Sequence, residues 1–173
     1  MIPAPFIVRR SLAICLAVLL LAAACGKRPT EEVPLAGIDA AGFDRLLESH
    51  RGDVLLVDFW AMWCAPCVEM LPRTVEPHNR FRDRGLVVVT VSLDDPAEEQ
   101  SVRRVLERNG AKTENYLSRY GVGPEAFEAF SIAGGSIPHL RLYDRRGNLL
   151  KTFSGSDFDH EEVIAAATSY ELS

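Results

Sequence analysis

The chain has 173 residues and carries 19 Lys and Arg against 24 Asp and Glu, a formal charge of −5 at pH 7. An acidic balance of this kind argues against nucleic acid or anionic lipid as a partner. The length suits one domain with room for a sizeable core.

The N-terminus reads as a targeting segment, residues 1–24. Arg9 and Arg10 supply a positive region, and residues 12–24 form an unbroken apolar stretch ending in three alanines. Thirteen residues fall short of the ~20 that a membrane-spanning helix needs. The junction Ala22-Ala23-Ala24-Cys25-Gly26 resembles a bacterial lipobox, in which Cys25 is lipidated and becomes the new N-terminus. It departs from the commonest pattern, with Ala22 where leucine is usual and Leu21 one place earlier. An ordinary signal peptide cut at the alanines, or an uncleaved anchor, are the alternatives. The flanks of the two arginines match a twin-arginine signal poorly. Loss of residues 1–24 removes two arginines and no acid, taking the charge from −5 (19 against 24) to −7 (17 against 24). Membrane association would then rest on the lipid anchor alone. Residues 27–35, with Pro29 and Pro34, read as an extended tether, so that residues 25–36 precede a domain over 37–173.

Helices and strands then alternate. Phe43, Leu46 and Leu47 form one helical face, with Asp39 as N-cap and Gly52 beyond the end. Residues 54–60 are the first strong strand, and a helix begins at the cysteines that follow. Residues 86–93 (LVVVTVSL) form a continuous apolar run suited to a buried parallel strand. Asp95-Pro96 with Glu98 starts a helix that turns Val102, Val105 and Leu106 inward. Leu140 and Leu142 begin a third strand, which Arg145-Arg146-Gly147-Asn148 turns into a fourth over 149–153. Asp159 with Glu162 caps a last helix carrying Val163, Ala166, Ala167 and Tyr170. The pattern is α/β, with parallel crossovers and one antiparallel hairpin. Between strands, residues 94–136 are too long for one crossover, which needs about 10–12 residues. Within them, residues 124–130 read as a short helix packing aromatics on the core. A substrate-docking surface is the other reading of this insertion.

The chemistry concentrates in the stretch L-L-V-D-F-W-A-M-W-C-A-P-C-V, residues 55–68. Cys64 and Cys67 stand three apart at the start of a helix that follows a buried strand. The free N–H groups and dipole of a helix N-terminus stabilise a thiolate, so Cys64 is expected to be the more acidic, exposed nucleophile. Cys67 lies one turn on, on the same face, and can close a small disulfide ring with it. Pro66 fits a first turn that has no use for its missing N–H. Zinc would need about four ligands, and the chain has no second such pair. A purely structural staple more often closes a longer loop. With Cys15 removed and Cys25 lipidated, this pair would be the only thiols left, in an exported and oxidising compartment.

V-D-F-W-A-x-W-C-x-P-C resembles the active-site stretch of thioredoxin-fold proteins. With the N-terminus, the chain resembles the membrane-tethered TlpA/ResA-like thiol–disulfide oxidoreductases over residues 37–170, most specifically at 58–67 and 136–138. The resemblance implies a thioredoxin-like fold, a central mixed sheet flanked by helices, with a central insertion between strands. It implies that Cys64 attacks a substrate disulfide and that Cys67 resolves the mixed disulfide, with no cofactor beyond the Cys64–Cys67 pair and no metal. Asp58 lies in an apolar strand, where burial would raise its pKa towards neutrality and let it exchange a proton with Cys67. Alone, such an acid is more often an edge or structural residue; its position matches the buried acid of thioredoxins. Pro138, first read as a turn residue, matches the family's cis proline beside the cysteines, leaving the Ile137 backbone to pair with an incoming peptide. Trp63 would offer an apolar platform to substrate and Trp60 would belong to the core. Pro72 would kink its helix. His139 would either tune Cys64 as a cation or face elsewhere, and His50, His78 and His160 read as solvated.

One departure is Glu69, one place before Met70, where the family often has an acid. At about 100° per residue it points away, which puts that acid's role in substrate selection in doubt. The implied setting is the extracytoplasmic side of a bacterial envelope. The implied partners are disulfide-bearing proteins such as oxidised apocytochrome c, and a membrane electron donor of the DsbD/CcdA kind. A disulfide oxidase or isomerase, a peroxidase, and a binding lipoprotein with an inert disulfide are the competing readings. The peroxidase pattern Pro-x-x-x-Thr-x-x-Cys is absent around both cysteines.

Overall fold

The computed structural model describes residues 32–155 and 158–169. The targeting segment, Cys25 and Tyr170 lie outside them.

Six strands make one mixed sheet. In chain order the elements are β1 (Ala36–Ile38), α1 (Ala40–Ser49), β2 (Val54–Trp60), α2 (Ala65–Phe81), β3 (Leu86–Ser92), α3 (Glu99–Arg108), β4 (Glu114–Ser118), α4 (Pro124–Ala129), β5 (His139–Tyr143), β6 (Leu149–Ser154) and α5 (His160–Ser169). The strand order is β1-β4-β3-β2-β5-β6, with the first four parallel and β5 and β6 antiparallel to their neighbours. This is the thioredoxin-like α/β fold, with helices on both faces of the sheet.

The two central strands, buried along nearly their whole length, divide their side chains by the period of two. Leu55, Val57 and Phe59 of β2 join Val89 and Val91 against α1 and an aromatic group that includes Phe130. Val54 and Leu56 face α5 on the other side with Val88 and Leu142, and Trp60 joins Cys67 and Leu71 of α2. Asp58, two places from Leu56 and Trp60, shares that second face. α2 turns Cys67, Leu71, Thr74 and Val75 inward at helical spacing, and it runs unbroken through Pro72 and Pro77.

Most expected elements are present. Asp39 caps α1 by accepting the Gly42 N–H at 2.7 Å. Asp95 caps a short 3-10 turn, Pro96–Glu98, and α3 proper begins only at Glu99. The short helix expected over residues 124–130 is present as Pro124–Ala129, with Phe130, its C-cap, buried and Tyr116, Tyr120 and Phe127 packed against the same core.

Two strands depart from expectation. β4 lies within residues 94–136, so that interval is not one strand-free insertion. Its sequence, E-N-Y-L-S, lacks an apolar run because a polar residue occupies its core position. Asn115 is buried, accepts from the Thr90 hydroxyl at 2.7 Å, and donates to Ala111 O (2.9 Å) and Thr113 O (2.8 Å). The other unexpected strand is β1, whose three residues pair with β4. The start of the domain also moves. Val33, expected in the tether, is buried in the core, and its carbonyl accepts from Arg103 at 2.5 Å.

Candidate active site

The parallel ladder of β2 ends at Trp60, whose carbonyl accepts the Leu93 N–H at 2.8 Å. The chain then leaves the sheet in a tight turn closed by Cys64 N–H to Ala61 O, 3.1 Å. Cys64 is the N-cap of α2, in extended conformation, and its sulfur accepts the Cys67 N–H at 3.3 Å. The sulfur therefore already sits where a helix N-terminus offers a free donor to a thiolate. Pro66 occupies the first turn.

Cys64 and Cys67 form a disulfide, with Cα atoms 5.3 Å apart. Cys64 is 7% exposed and Cys67 fully buried. Cys64 is thus the accessible member of the pair, though more covered than the sequence suggests. Trp63 beside it is 52% exposed, an apolar surface open to solvent. Trp60 is buried, and its indole N–H has no hydrogen-bond partner among the described residues.

The antiparallel register of β2 and β5 pairs Phe59 with His139. That pairing brings Pro138, one residue earlier, to the end of β2 from which the cysteine turn departs. The Ile137–Pro138 bond is cis. Pro138 O accepts the Gly155 N–H at 2.9 Å, whereas Ile137 makes no hydrogen bond among the described residues. A groove lined by Pro66, Glu69, Arg73, Pro138, Phe158 and His160 joins the two prolines. Glu69 therefore reaches the site's flank, although it stands one position away from the acid of the resembled family.

Asp58 is fully buried beneath α2, and neither carboxylate oxygen has a hydrogen bond of ordinary geometry. Burial pushes its carboxyl up to about 7, and the nearby hydroxyl of Thr74 offsets the rise only in part. Such an acid can gain and lose a proton near neutral pH.

Three of the four histidines depart from expectation, and His139 takes the second of its two readings. His139 is buried, with Nδ1 against the Ser154 hydroxyl and Nε2 accepting from Arg141 Nε at 3.1 Å. Burial, followed by the Arg141 charge, lowers its pKa to about 4. It is neutral near pH 7 and cannot tune Cys64 as a cation. His50 is not solvated but bridges Asp53 and Glu114. His78 accepts from Val88 N at 3.3 Å, and both ring nitrogens of His160 are covered. Among the described residues, no group of three or more His, Cys, Asp or Glu is placed to hold a metal.

The structure thus gathers Cys64, Cys67, Asp58, Trp63, Ile137 and Pro138 at one end of the sheet. One neighbour escaped the sequence reading. Asp94 is fully buried and accepts the Met62 N–H with both carboxylate oxygens, at 3.1 and 3.0 Å. Its only sequence signal is an acid directly after an apolar strand.

The profile of the AhpC/TSA family matches residues 29–152. The chain belongs to the AhpC/TSA family. Within reach of that family, a relative named thiol-disulfide oxidoreductase ResA from Geobacillus thermodenitrificans is 26% identical over 125 residues, 68% of this chain and 64% of the relative. The chain therefore spans less than two thirds of that relative's length. A solved structure of a Chlorobium tepidum protein assigned as a thiol:disulfide interchange protein, DsbE, shares 24% identity with a TM-score of 0.61, over 73% of this chain and 85% of that one. The thioredoxin domain of a thiol-disulfide oxidoreductase from Bacteroides vulgatus shares 26% identity with a TM-score of 0.55, over 70% and 84%. These likenesses place the chain on the thioredoxin fold, consistent with the sheet order and the position of the cysteines.

Proposed function

We propose that the chain is a thiol–disulfide oxidoreductase that reduces disulfides of exported proteins. The observation that carries this reading is the Cys64–Cys67 pair at the N-terminus of α2, beside cis Pro138 and above the buried, near-neutral carboxyl of Asp58. The names of the ResA and Bacteroides relatives support it.

In the forward reaction the Cys64 thiolate attacks a substrate disulfide. One S–S bond breaks, a mixed disulfide forms, and the substrate's second sulfur leaves as a thiolate that takes up a proton. Asp58 accepts the proton of the Cys67 thiol, and the Cys67 sulfur attacks Cys64 Sγ. The substrate leaves as a dithiol, two electrons have passed to it, and the Cys64–Cys67 disulfide seen here is the product state. Ile137, whose backbone is unpaired among the described residues, would accept an extended substrate segment beside Pro138, and Trp63 would cover its apolar part.

The location follows from the N-terminal sequence and from the extracytoplasmic setting of the resembled family. Residues 1–24 would direct export and Cys25 would carry the lipid; palmitate labelling that Cys25→Ser abolishes is the check. Oxidised apocytochrome c is the substrate class that the family resemblance suggests, with a DsbD/CcdA-like membrane protein restoring the dithiol. A peroxidase reading, raised by the family name, is disfavoured because the positions that would need Pro and Thr before Cys64 hold Val57 and Ala61.

Trapping tests the proposal. Cys67→Ser lacks the resolving thiol, so it should accumulate mixed disulfides through Cys64 that dithiothreitol releases, and Cys64→Ser should accumulate none. Trapping by Cys64→Ser and not by Cys67→Ser would reverse the assignment of attacking and resolving cysteines, and trapping by neither would contradict the proposal.

A further inference from the structure

The turn that presents Trp63 and Cys64 hangs from the sheet at one interior point. Ala61 and Cys64 close it from end to end, and the Met62 N–H between them points inward. That donor is taken up by the carboxylate of Asp94, at 3.1 and 3.0 Å. Asp94 stands 32 residues away in sequence, just past the C-terminal end of β3. It is held there from both sides. The Ser92 hydroxyl donates to Oδ2 at 2.7 Å and itself accepts the Asp94 N–H at 3.2 Å, while Leu93 N–H ties the same segment to Trp60 O.

Asp94 is fully buried, and no lysine or arginine pairs with it among the described residues. Burial pushes its carboxyl up, and the Ser92 and Met62 donors hold it back only in part. An unpaired buried carboxylate is costly. A residue needed only to end a strand would not require one. Here the side chain takes the Met62 N–H and the Ser92 hydroxyl at once, and the first of these is the bond that reaches the cysteine turn.

We propose that Asp94 is a positioning residue for thiol–disulfide exchange, a clamp that fixes the Ala61–Cys64 turn through the Met62 N–H. It touches neither sulfur. Its effect passes through the turn to the placement of the Cys64 sulfur over the Cys67 N–H, the contact that a thiolate needs at the helix N-terminus. The inference rests on the oxidoreductase reading above. It goes beyond it by assigning a second buried acid, on a different strand, to the geometry of the attacking thiol.

The test compares the full chain with its Asp94→Ala, Asp94→Asn and Ser92→Ala variants. Two readouts are needed: the rate at which the reduced protein reduces oxidised glutathione, and the pH profile of Cys64 alkylation by iodoacetamide. Displacement of a reacting group by even ~1 Å costs up to about a hundredfold in rate. Asp94→Ala should therefore slow glutathione reduction about tenfold or more and shift the alkylation profile. Asp94→Asn, which keeps an oxygen for the Met62 N–H, should recover most of the rate. Ser92→Ala, which frees the carboxylate on one side, should fall between them. It also decides the matter if Asp94→Ala does not fold. Variants with a lower melting temperature but an unchanged rate and alkylation profile would overturn the clamp. So would an Asp94→Asn variant as slow as Asp94→Ala, since charge rather than the hydrogen bond would then matter. A wild-type chain inert towards glutathione would overturn the oxidoreductase reading and the clamp together, whereas an active wild type beside unaffected variants would overturn the clamp alone.

Discussion

Asp58 works against the stability of the fold that holds it. Its folded pKa of about 7 lies above the ordinary 3.8, so the native state binds a proton there more tightly than the unfolded chain does. Stability from this group is then greatest below about pH 4 and declines as pH rises to about 7. At 1.36 kcal/mol for each pKa unit, the full decline is on the order of 4 kcal/mol. Asp58→Asn should raise the urea midpoint at pH 8, leave it nearly unchanged at pH 4, and, in the chain that keeps Cys67, slow the step in which Cys67 resolves the mixed disulfide. A midpoint that falls at pH 8 would contradict the account. His139 has the opposite sign. Its pKa is depressed to about 4, so its neutral state favours the fold above about pH 6.5 and that contribution is lost as pH falls through 4.

The elements that position the cysteines were legible because several local signals agreed. The apolar run of β2, the cysteine N-cap, Pro66 in the first turn and the inward spacing of Cys67, Leu71, Thr74 and Val75 all describe one strand followed by one helix. β4 was not legible, because its core position is filled by a polar side chain whose partners lie in other elements. Nothing in E-N-Y-L-S reveals that Asn115 will find Thr90 on the neighbouring strand and the carbonyls of Ala111 and Thr113. Asp94 was hidden for the same reason, since its value depends on Met62 N–H, which only the folded turn brings near. His50, His78 and His160 were misread because their partners and covering groups, Asp53 and Glu114 for His50 and the Val88 N–H for His78, come from elsewhere in the fold. Asn115→Ala would take the partner from the Thr90 hydroxyl and from the carbonyls of Pro34, Ala111 and Thr113, at a cost of about 2–4 kcal/mol. Chemical unfolding measures it, and a loss below about 0.5 kcal/mol would mean that the network does not hold β4 in the sheet.

At the scale of the molecule, the fold sets a partly covered disulfide at one end of a sheet that buries apolar side chains on both of its faces. The sulfurs are shielded, Trp63 is open, and a groove between Pro66 and Pro138 flanks the start of the cysteine helix. That arrangement offers a protein substrate a segment to pair with at Ile137 and an apolar face at Trp63. The acidic charge offers no surface for anionic lipid, so the proposed attachment to an envelope would rest on lipidation of Cys25. The central claim is that this pair donates electrons. The reduction potential of Cys64–Cys67, titrated against a dithiothreitol or glutathione buffer, tests it most directly. A value near about −270 mV, the thioredoxin end of the scale, is predicted for a reductant recharged from the membrane; a value near about −120 mV would make it an oxidant and contradict the account.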